Sequence, residues 1–154
     1  MKFTRFLELK RSALSMCGVK EGEVGNPASL NSLVLALVGD SVFTFYVRIR
    51  LLHVSSHVRV IHDIASRMVS AVMQSRAMHV LEEGLADAEM AVARRGRNAK
   101  STVPKSACVE EYRQATAFEA LCGYLLLNDE QERLEEILDA AFTLISEEMR
   151  KEGK

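Results

Sequence analysis

Two acidic residues, Asp40 and Glu119, stand in stretches of sequence that are otherwise almost wholly apolar. Asp40 lies in the run LNSLVLALVGDSVFTFYVR, and Glu119 lies in the run TAFEALCGYL. A carboxylate inside an apolar helix must be paired, hydrogen-bonded, protonated or bound to a metal ion, because burying it alone costs several kcal/mol or more. No basic residue lies within one helical turn of Asp40. Its partner must therefore come from elsewhere in the fold, from solvent or from an ion.

The two acidic helices should pack on each other, which would bring the carboxylates of Asp40 and Glu119 together. Two like charges in a dry site either share a proton or hold a cation. Ligation by oxygen atoms alone suits Mg²⁺ or Mn²⁺. The same pattern also fits two acids that meet an arginine or cap a neighbouring helix, and the residues alone leave these alternatives open.

Basic residues are concentrated between positions 94 and 105. The chain as a whole carries a formal net charge of −1, so binding to a polyanion would need a local patch of this kind. Arginine suits bidentate contacts with phosphate, and a loop over 96–104 could follow a nucleic-acid backbone. A solvated connector is the alternative interpretation. The candidate contacts are Arg94, Arg95, Arg97, Asn98, Lys100 and Lys105.

Other candidate residues are weaker. His53 and His57 have helical spacing, but a structural zinc site needs four ligands and no third ligand is near. His62 begins a predicted helix, where it either caps that helix or supports the two acids from a second layer. Cys122 follows Glu119 by one turn and fits a small buried apolar residue better than a nucleophile, since its spacing offers no histidine partner.

Length and composition favour one all-α domain. The chain has 154 residues, two prolines and eight glycines, which suits a single domain without many turns. Three cysteines without a Cys-x-x-Cys pair, and a charged N-terminus without a signal-peptide core, indicate a cytoplasmic protein. The apolar run around Asp40 is interrupted by Gly39-Asp40, so we expect a core helix rather than a membrane span.

Apolar periodicity predicts five to seven helices. Asn26-Pro27 is a typical helix start, and Asp129 with Glu132 forms a capping-box pattern. The tail from Met149 is charged and is expected to fray. The helices are predicted from Phe3 to before Gly18, over 27–52, 58–81, 86–95 and 109–127, and from Asp129 onward.

The two acidic segments also resemble the motifs of a known family. LVGDSVF at 37–43 resembles the L-G-D-[AS]-V-[FYL] core of the ribonuclease III signature, and FEALCGY at 118–124 resembles that superfamily's second acidic motif, E-A-L-[IL]-G. The joining stretch, RRGRNAK at 94–100 and TVPK at 102–105, is similar to the Mini-ribonuclease III subfamily in particular. The order, spacing and length of these motifs fit from Leu30 to about Ile145.

The resemblance implies an all-helical endonuclease domain that acts as a symmetric homodimer on double-stranded RNA. In this family the helix that carries the signature contributes to the dimer contact. This agrees with a helix that has too few hydrophilic positions for the surface of a monomer. The resemblance also implies a single catalytic domain over 1–154, with no separate domain for binding double-stranded RNA.

By the same resemblance, Asp40 and Glu119 are the catalytic residues and coordinate Mg²⁺, with Mn²⁺ as an alternative. The ion would activate a water molecule and stabilise charge on the scissile phosphate, which leaves 5′-phosphate and 3′-hydroxyl ends. The basic segment would recognise the A-form shape of the duplex. The typical substrate is the precursor of the large-subunit (23S) ribosomal RNA, and a large-subunit ribosomal protein is a further candidate partner.

The sequence departs from the larger ribonuclease III enzymes at several acidic positions. Ala36 and Leu33 stand where those enzymes carry acids before Asp40, and Thr116 stands where they carry an acid before Glu119. Thr44 occupies a position that is often glutamate in Mini-type sequences. Thr116 is therefore expected beside the acids only as a supporting residue. Two alternatives follow: a non-catalytic dimer that binds RNA or the ribosome, and a helical dimer that binds only protein.

Overall fold

The structure is a computed structural model that describes residues 3–16, 25–100 and 108–152. Over these ranges the chain forms seven α-helices and no strand, which confirms the predicted all-α class. Two short 3-10 helices, Pro27–Ser29 and Glu82–Gly84, lie between them. The helices are α1 (Phe3–Met16), α2 (Ser32–Leu51), α3 (Val58–Met68), α4 (Ala71–Leu81), α5 (Asp87–Arg97), α6 (Val109–Leu127) and α7 (Gln131–Glu152).

Helix α6 is the centre of the fold and has the bounds predicted from the sequence. Helices α2, α4, α5 and α7 pack around it, and every residue from Gln114 to Leu126 except Glu119 is buried. Phe118 meets Phe43 of α2 edge to face, with ring centroids 4.9 Å apart, a favourable aromatic arrangement. The helix that carries Glu119 is thus fixed from several sides.

Glycine allows α2 and α6 to cross with their backbones in contact. A Cβ atom built at Gly39 would lie 1.8 Å from the carbonyl oxygen of Glu119, and one at Gly123 would lie 2.0 Å from the carbonyl oxygen of Leu35. No side chain fits at such distances, so both positions need glycine. Because Gly39 precedes Asp40, this crossing sets the distance between the two acidic helices.

Helix α2 has a buried face and an exposed apolar stripe. Eight of its residues are buried, whereas Val34 and Leu37 are 49% and 69% exposed. Among the described residues, α2 is also the one helix whose length and composition would suffice to cross a membrane. A core helix passes the same test, and the buried face of α2 agrees with the predicted core position.

Two predicted helix boundaries were wrong in the N-terminal half. The side chain of Asn26 accepts from Ala28 N at 3.0 Å but starts only a 3-10 turn, and α2 begins later, where Asn31 caps it through Leu33 N at 2.8 Å. The helix predicted over 58–81 is divided, because Ser70 adopts an extended conformation and starts α4. The polar connector predicted from Gly18 lies largely outside the described residues.

The later boundaries differ for equally local reasons. Helix α5 continues through Gly96 to Arg97, so the predicted loop begins later than expected. Asp129 has a φ of 59° and belongs to a turn, and α7 begins at Gln131 rather than at a capping box. The C-terminal end does not fray at Met149. Glu152 accepts from Arg67 at 2.6 Å and from Arg76 at 2.5 Å, which ties the end of α7 to α3 and α4.

Helix α5 is anchored at its N-terminal end by a buried ion pair. The Glu89 carboxylate accepts from Arg133 Nε at 2.7 Å and from the backbone N–H of Ala86 at 2.8 Å. Arg133 also donates to the carbonyl oxygen of Gly84 at 2.9 Å. These bonds hold the pKa of Glu89 below its usual range, with the hydrogen bond from Arg133 as the main cause. The anchor fixes the helix whose other end carries the basic residues.

Candidate active site

Asp40 and Glu119 meet where α2 crosses α6. Gly39 contacts the backbone of Glu119 directly, so the residue that follows it lies beside the second acid. The charge on Asp40 is close enough to raise the pKa of Glu119. Both side chains are partly exposed, so the pair lies at the edge of the core with access to solvent. The structure therefore brings together the two acids that the sequence singled out.

Burial of Glu119 changes its proton affinity strongly. The pKa of Glu119 is raised from 4.5 to about 8. Desolvation is the main cause, and the charge on Asp40 is the second. A hydrogen bond from Gln74 opposes both effects. At neutral pH without a cation, this carboxyl group is therefore largely protonated.

Asp40 is perturbed less than Glu119. Desolvation raises the pKa of Asp40 above 3.8, whereas a hydrogen bond from Thr44 and the positive charge of Arg48 lower it. Thr44 lies one turn after Asp40 and Arg48 two turns after it. Within the described ranges neither Asp40 nor Glu119 forms an ion pair or caps a helix. The geometry favours the two remaining alternatives, a shared proton or a bound cation.

The donor set at this site fits a hard divalent cation. Among the described residues, no three His, Cys, Asp or Glu side chains are grouped closely enough to bind a metal ion. Mg²⁺ commonly uses one or two carboxylates and completes its octahedron with water and substrate phosphates. A neighbouring residue also suits a polar group in this site. Gln74 is buried and hydrogen-bonds to Glu119, and its amide oxygen has no hydrogen-bond partner in the described structure.

The basic residues predicted to lie in a loop occupy the last turn of α5 and the residues after it. Arg94 and Arg95 are exposed and Arg97 is partly exposed. A Cβ atom built at Gly96 would lie 2.9 Å from both the carbonyl oxygen of Thr116 and the Cβ atom of Ala120. The basic end of α5 is thereby held against the stretch of α6 that carries Glu119.

The rest of the predicted basic segment is only partly described. Asn98 caps α5 and, like Lys100, is exposed. Lys105 lies outside the described residues. Across the described part of the chain, none of the cations at 94, 95, 97 and 100 forms an ion pair. They remain available to an anionic partner.

A family model described as the Ribonuclease III domain matches residues 33–130, a span that contains both acids and the basic end of α5. The chain belongs to the ribonuclease III family. This membership confirms the predicted class of enzyme, an endoribonuclease for double-stranded RNA.

Relatives place the chain within one branch of the ribonuclease III family. It is similar to the Mini-ribonuclease 3 of Symbiobacterium thermophilum, with 46% identity over 125 residues that span 79% of this chain and 95% of that protein. The Mini-ribonuclease 3 of Brevibacillus brevis is 40% identical over 131 residues, which span 84% of this chain and 98% of that protein. These matches confirm the predicted Mini-ribonuclease III resemblance.

A solved structure has a similar fold. The crystal structure of protein FN1578 from Fusobacterium nucleatum matches with a TM-score of 0.69 and 26% sequence identity. The match covers 72% of this chain and 92% of that one.

The predicted supporting residues are placed less clearly in this ribonuclease III domain. Thr116 is buried one turn before Glu119, but its hydroxyl donates to the carbonyl oxygen of Tyr112 at 2.9 Å. His62 is exposed on α3. Nothing in the described structure joins His62 to either acid, so its supporting role stays a prediction. Cys122 is fully buried and burial raises the pKa of its thiol, which agrees with a structural role.

Sequence reasoning missed two residues that touch the acids. Thr44 appeared only as a departure from the family pattern, yet it hydrogen-bonds to Asp40. Its spacing of four from Asp40 on one helix face could have indicated this. Gln74 gave no such signal, because its contact with Glu119 joins two helices that are distant in sequence.

Proposed function

We propose that this chain is an Mg²⁺-dependent endoribonuclease in which Asp40 and Glu119 hold the metal ion, with Mn²⁺ as an alternative ion. The observation that carries the proposal is the convergence of these two acids across the glycine crossing of α2 and α6. We further infer that it acts as a homodimer in the cytoplasm and matures the ends of the large-subunit (23S) ribosomal RNA precursor, with a large-subunit ribosomal protein as a candidate partner.

The two acids are suited to hold a cation rather than to act alone. When bound, the ion supplies an activated water molecule and a positive charge beside the scissile phosphate. Desolvation raises the pKa of Asp40 as well, but Thr44 and Arg48 oppose that rise, so Asp40 keeps its charge more readily than Glu119. Desolvation and then repulsion from Asp40 raise the pKa of Glu119. A bound cation would offset both effects and keep both carboxylates ionised.

The basic end of α5 is the proposed contact with the RNA backbone. The packing of Gly96 holds four basic residues close to the stretch of α6 that carries Glu119. These are Arg94, Arg95, Arg97 and Lys100. Arginine side chains can contact phosphates in a bidentate manner, and such contacts recognise the A-form duplex by shape rather than by sequence. Asn98 adds a donor that suits 2′-hydroxyl groups. Lys105 is proposed from the sequence alone.

The exposed apolar stripe of α2 is the proposed dimer contact. Leu37 and Val34 follow one another at helical spacing on the outer face of the helix that carries Asp40. Two copies of this face, related by a twofold axis, would cover both stripes at once. The same contact would place two acidic pairs in one assembly, one for each strand of a duplex.

The test of the proposed function is the variant Asp40→Asn. We expect it to lose cleavage of duplex RNA in Mg²⁺ by about three orders of magnitude, because one of two carboxylate ligands is removed. Its affinity for duplex RNA in Ca²⁺ should stay close to that of the wild type, since the basic residues of α5 are unchanged. Asp63→Asn, at an exposed aspartate of α3, is the matched control and should cleave normally.

Each outcome of this experiment separates one alternative. Cleavage by Asp40→Asn at the rate of the wild type would show that Asp40 does not hold the metal. A wild-type protein that binds duplex RNA in a salt-dependent manner but never cleaves it would be the non-catalytic RNA-binding dimer. A protein that does not bind RNA at all would leave only the role of a protein-binding dimer.

A further inference from the structure

Gln74 is a polar side chain buried at the junction of three helices. It lies in the first turns of α4 and is only 1% exposed. Its amide nitrogen donates to the carbonyl oxygen of Val69, at the end of α3, at 2.9 Å. In the continuous helix that the sequence predicted, this carbonyl oxygen would accept a backbone hydrogen bond. Because the helix is interrupted between α3 and α4, the side chain of Gln74 donates to it instead.

The second contact of Gln74 is the carboxylate of Glu119 on α6. The side chain of Gln74 hydrogen-bonds to this carboxyl group in a way that favours its charged form, so the amide N–H is the donor. An amide nitrogen carries two hydrogens, one for Val69 and one for Glu119. Because the carbonyl oxygen of Val69 can only accept, this bond fixes the orientation of the amide, with its nitrogen toward Val69.

The fixed orientation leaves the amide oxygen of Gln74 without a partner. Within the described residues this oxygen is buried and accepts no hydrogen bond. It belongs to the same amide as the nitrogen that faces Glu119, so it lies close to that carboxyl group. Buried acceptors are rarely left unpaired in folded proteins, and an ordered water often satisfies those that are.

We propose that Gln74 is a positioning residue of the active site: it aims the Glu119 carboxylate and accepts a hydrogen from a water molecule that belongs to the hydration shell of the bound metal ion. This inference rests on the proposed function. Mg²⁺ retains several of its waters when few protein ligands are available, and each such water needs an acceptor. Outer contacts of this kind orient metal ligands and affect affinity substantially.

The chain offers a matched control in Gln114. This residue is also buried, at 3% exposure, and its amide oxygen also lacks a partner in the described structure. Its nitrogen donates to Glu82 at 3.1 Å and lies 3.2 Å from His79 Nδ1. Within the described residues, none of its side-chain hydrogen bonds involves Asp40 or Glu119. Replacing either glutamine by methionine keeps the size of the side chain and removes the amide.

The experiment compares Gln74→Met with Gln114→Met in the full-length protein. The first readout is Mn²⁺ binding without RNA, measured by electron paramagnetic resonance. We expect Gln74→Met to weaken binding by about tenfold and Gln114→Met to leave it unchanged. The second readout is cleavage of duplex RNA at saturating metal. Gln74→Met should lower kcat while KM stays constant, because the RNA-binding residues are untouched.

The outcomes distinguish a failure of this inference from a failure of the proposed function. If the wild type binds Mn²⁺ and cleaves RNA but Gln74→Met does both equally well, Gln74 has no positioning role. An equal loss in both methionine variants would reduce Gln74 to a structural residue, and thermal unfolding would show whether that loss follows stability. If the wild type neither binds Mn²⁺ nor cleaves, the proposed function itself is wrong, and the role of Gln74 fails with it.

Discussion

The carboxyl group of Glu119 makes the stability of this protein depend on pH in an unusual direction. Its pKa is about 8 in the folded protein and near 4.5 in an exposed chain. Between these two values the folded state holds a proton that the unfolded state has lost. Stability from this group is therefore fully present below pH 4.5 and decreases as the pH rises toward about 8.

We expect Glu119→Gln to stabilise the metal-free protein at alkaline pH. At a pH of about 8, equal to the pKa of Glu119 in the folded protein, the variant should be more stable than the wild type by about 4 kcal/mol, because it carries no charge that must be buried. The difference should become small at about pH 5, where the wild type also holds its proton. Urea unfolding in the presence of EDTA measures the difference at both pH values.

If Glu119 is a metal ligand, metal ions should reverse the difference in stability between Glu119→Gln and the wild type at alkaline pH. Added Mg²⁺ should stabilise the wild type at alkaline pH by mass action and should have little effect on Glu119→Gln. Glu110→Gln, at an exposed glutamate of the same helix, is the control and should behave as the wild type. A Glu119→Gln variant that gains nothing as the pH rises would show that this carboxyl group is ionised in the fold.

At the scale of single residues, the sequence predicted the acids but not their surroundings. Asp40 and Glu119 could be found because each is the lone acid in an apolar run. The contact between Glu119 and Gln74 could not, since it depends on how α4 packs against α6. From the sequence, a glutamine within a helix fits a surface position as well as a buried one. Only the packing of the helices shows that Gln74 is buried.

At the scale of helices, the crossing of α2 and α6 is the element that determines the site. We expect Gly39→Ala to destabilise the fold by about 3 kcal/mol, as overpacking of a tight core does. The added Cβ would lie 1.8 Å from the carbonyl oxygen of Glu119 and 2.8 Å from the backbone nitrogen of Gly123, atoms that cannot move without separating the helices. Denaturant unfolding measures the cost, and RNA cleavage should be lost with it.

Gly84→Ala provides the comparison for Gly39→Ala. A Cβ at Gly84 would meet nothing within 4 Å, so this variant should change stability by less than about 0.5 kcal/mol. If Gly39→Ala were as stable and as active as Gly84→Ala, the direct backbone contact between α2 and α6 would not be needed to hold the two acids together.

Helix prediction succeeded where a helix had clear ends and failed where the apolar pattern continued through a break. The bounds of α6 were predicted exactly, because polar residues flank a long apolar run. The break at Ser70 was missed because the apolar stripe continues from α3 into α4, although serine is a favoured N-cap residue. Gly96 was assigned to a loop because the residues from 96 to 104 show no apolar period, whereas here α5 includes Gly96 and needs it for close packing on α6.

At the scale of the whole molecule, the exposed apolar stripe of α2 is unusual for a monomer. Leu37 is 69% exposed on a helix whose opposite face forms the core. The sequence indicated this surface, because the helix is apolar nearly all round. The sequence could not show which positions of α2 face outward, since a helix buried on both faces has the same pattern of residues as one with an exposed apolar face.

We expect Leu37→Lys to convert a dimer into monomers. In a symmetric contact each substitution occurs twice, so two lysines would meet across the twofold axis and bury unpaired charge. Sedimentation equilibrium measures the mass of the assembly. Because Leu37 is exposed in the single chain, the monomer should keep its thermal stability to within about 1 kcal/mol. Its cleavage of duplex RNA should fall, since the second acidic pair is lost.

Val80→Lys is the matched control for the dimer experiment, because Val80 is 55% exposed on a different helix, α4. It should leave both the mass and the cleavage unchanged. A Leu37→Lys protein that sediments as the wild-type dimer would place the contact on another surface. If the wild type itself sediments as a monomer and still cleaves both strands, each chain must act on the duplex independently, and the exposed stripe of α2 would need a different partner.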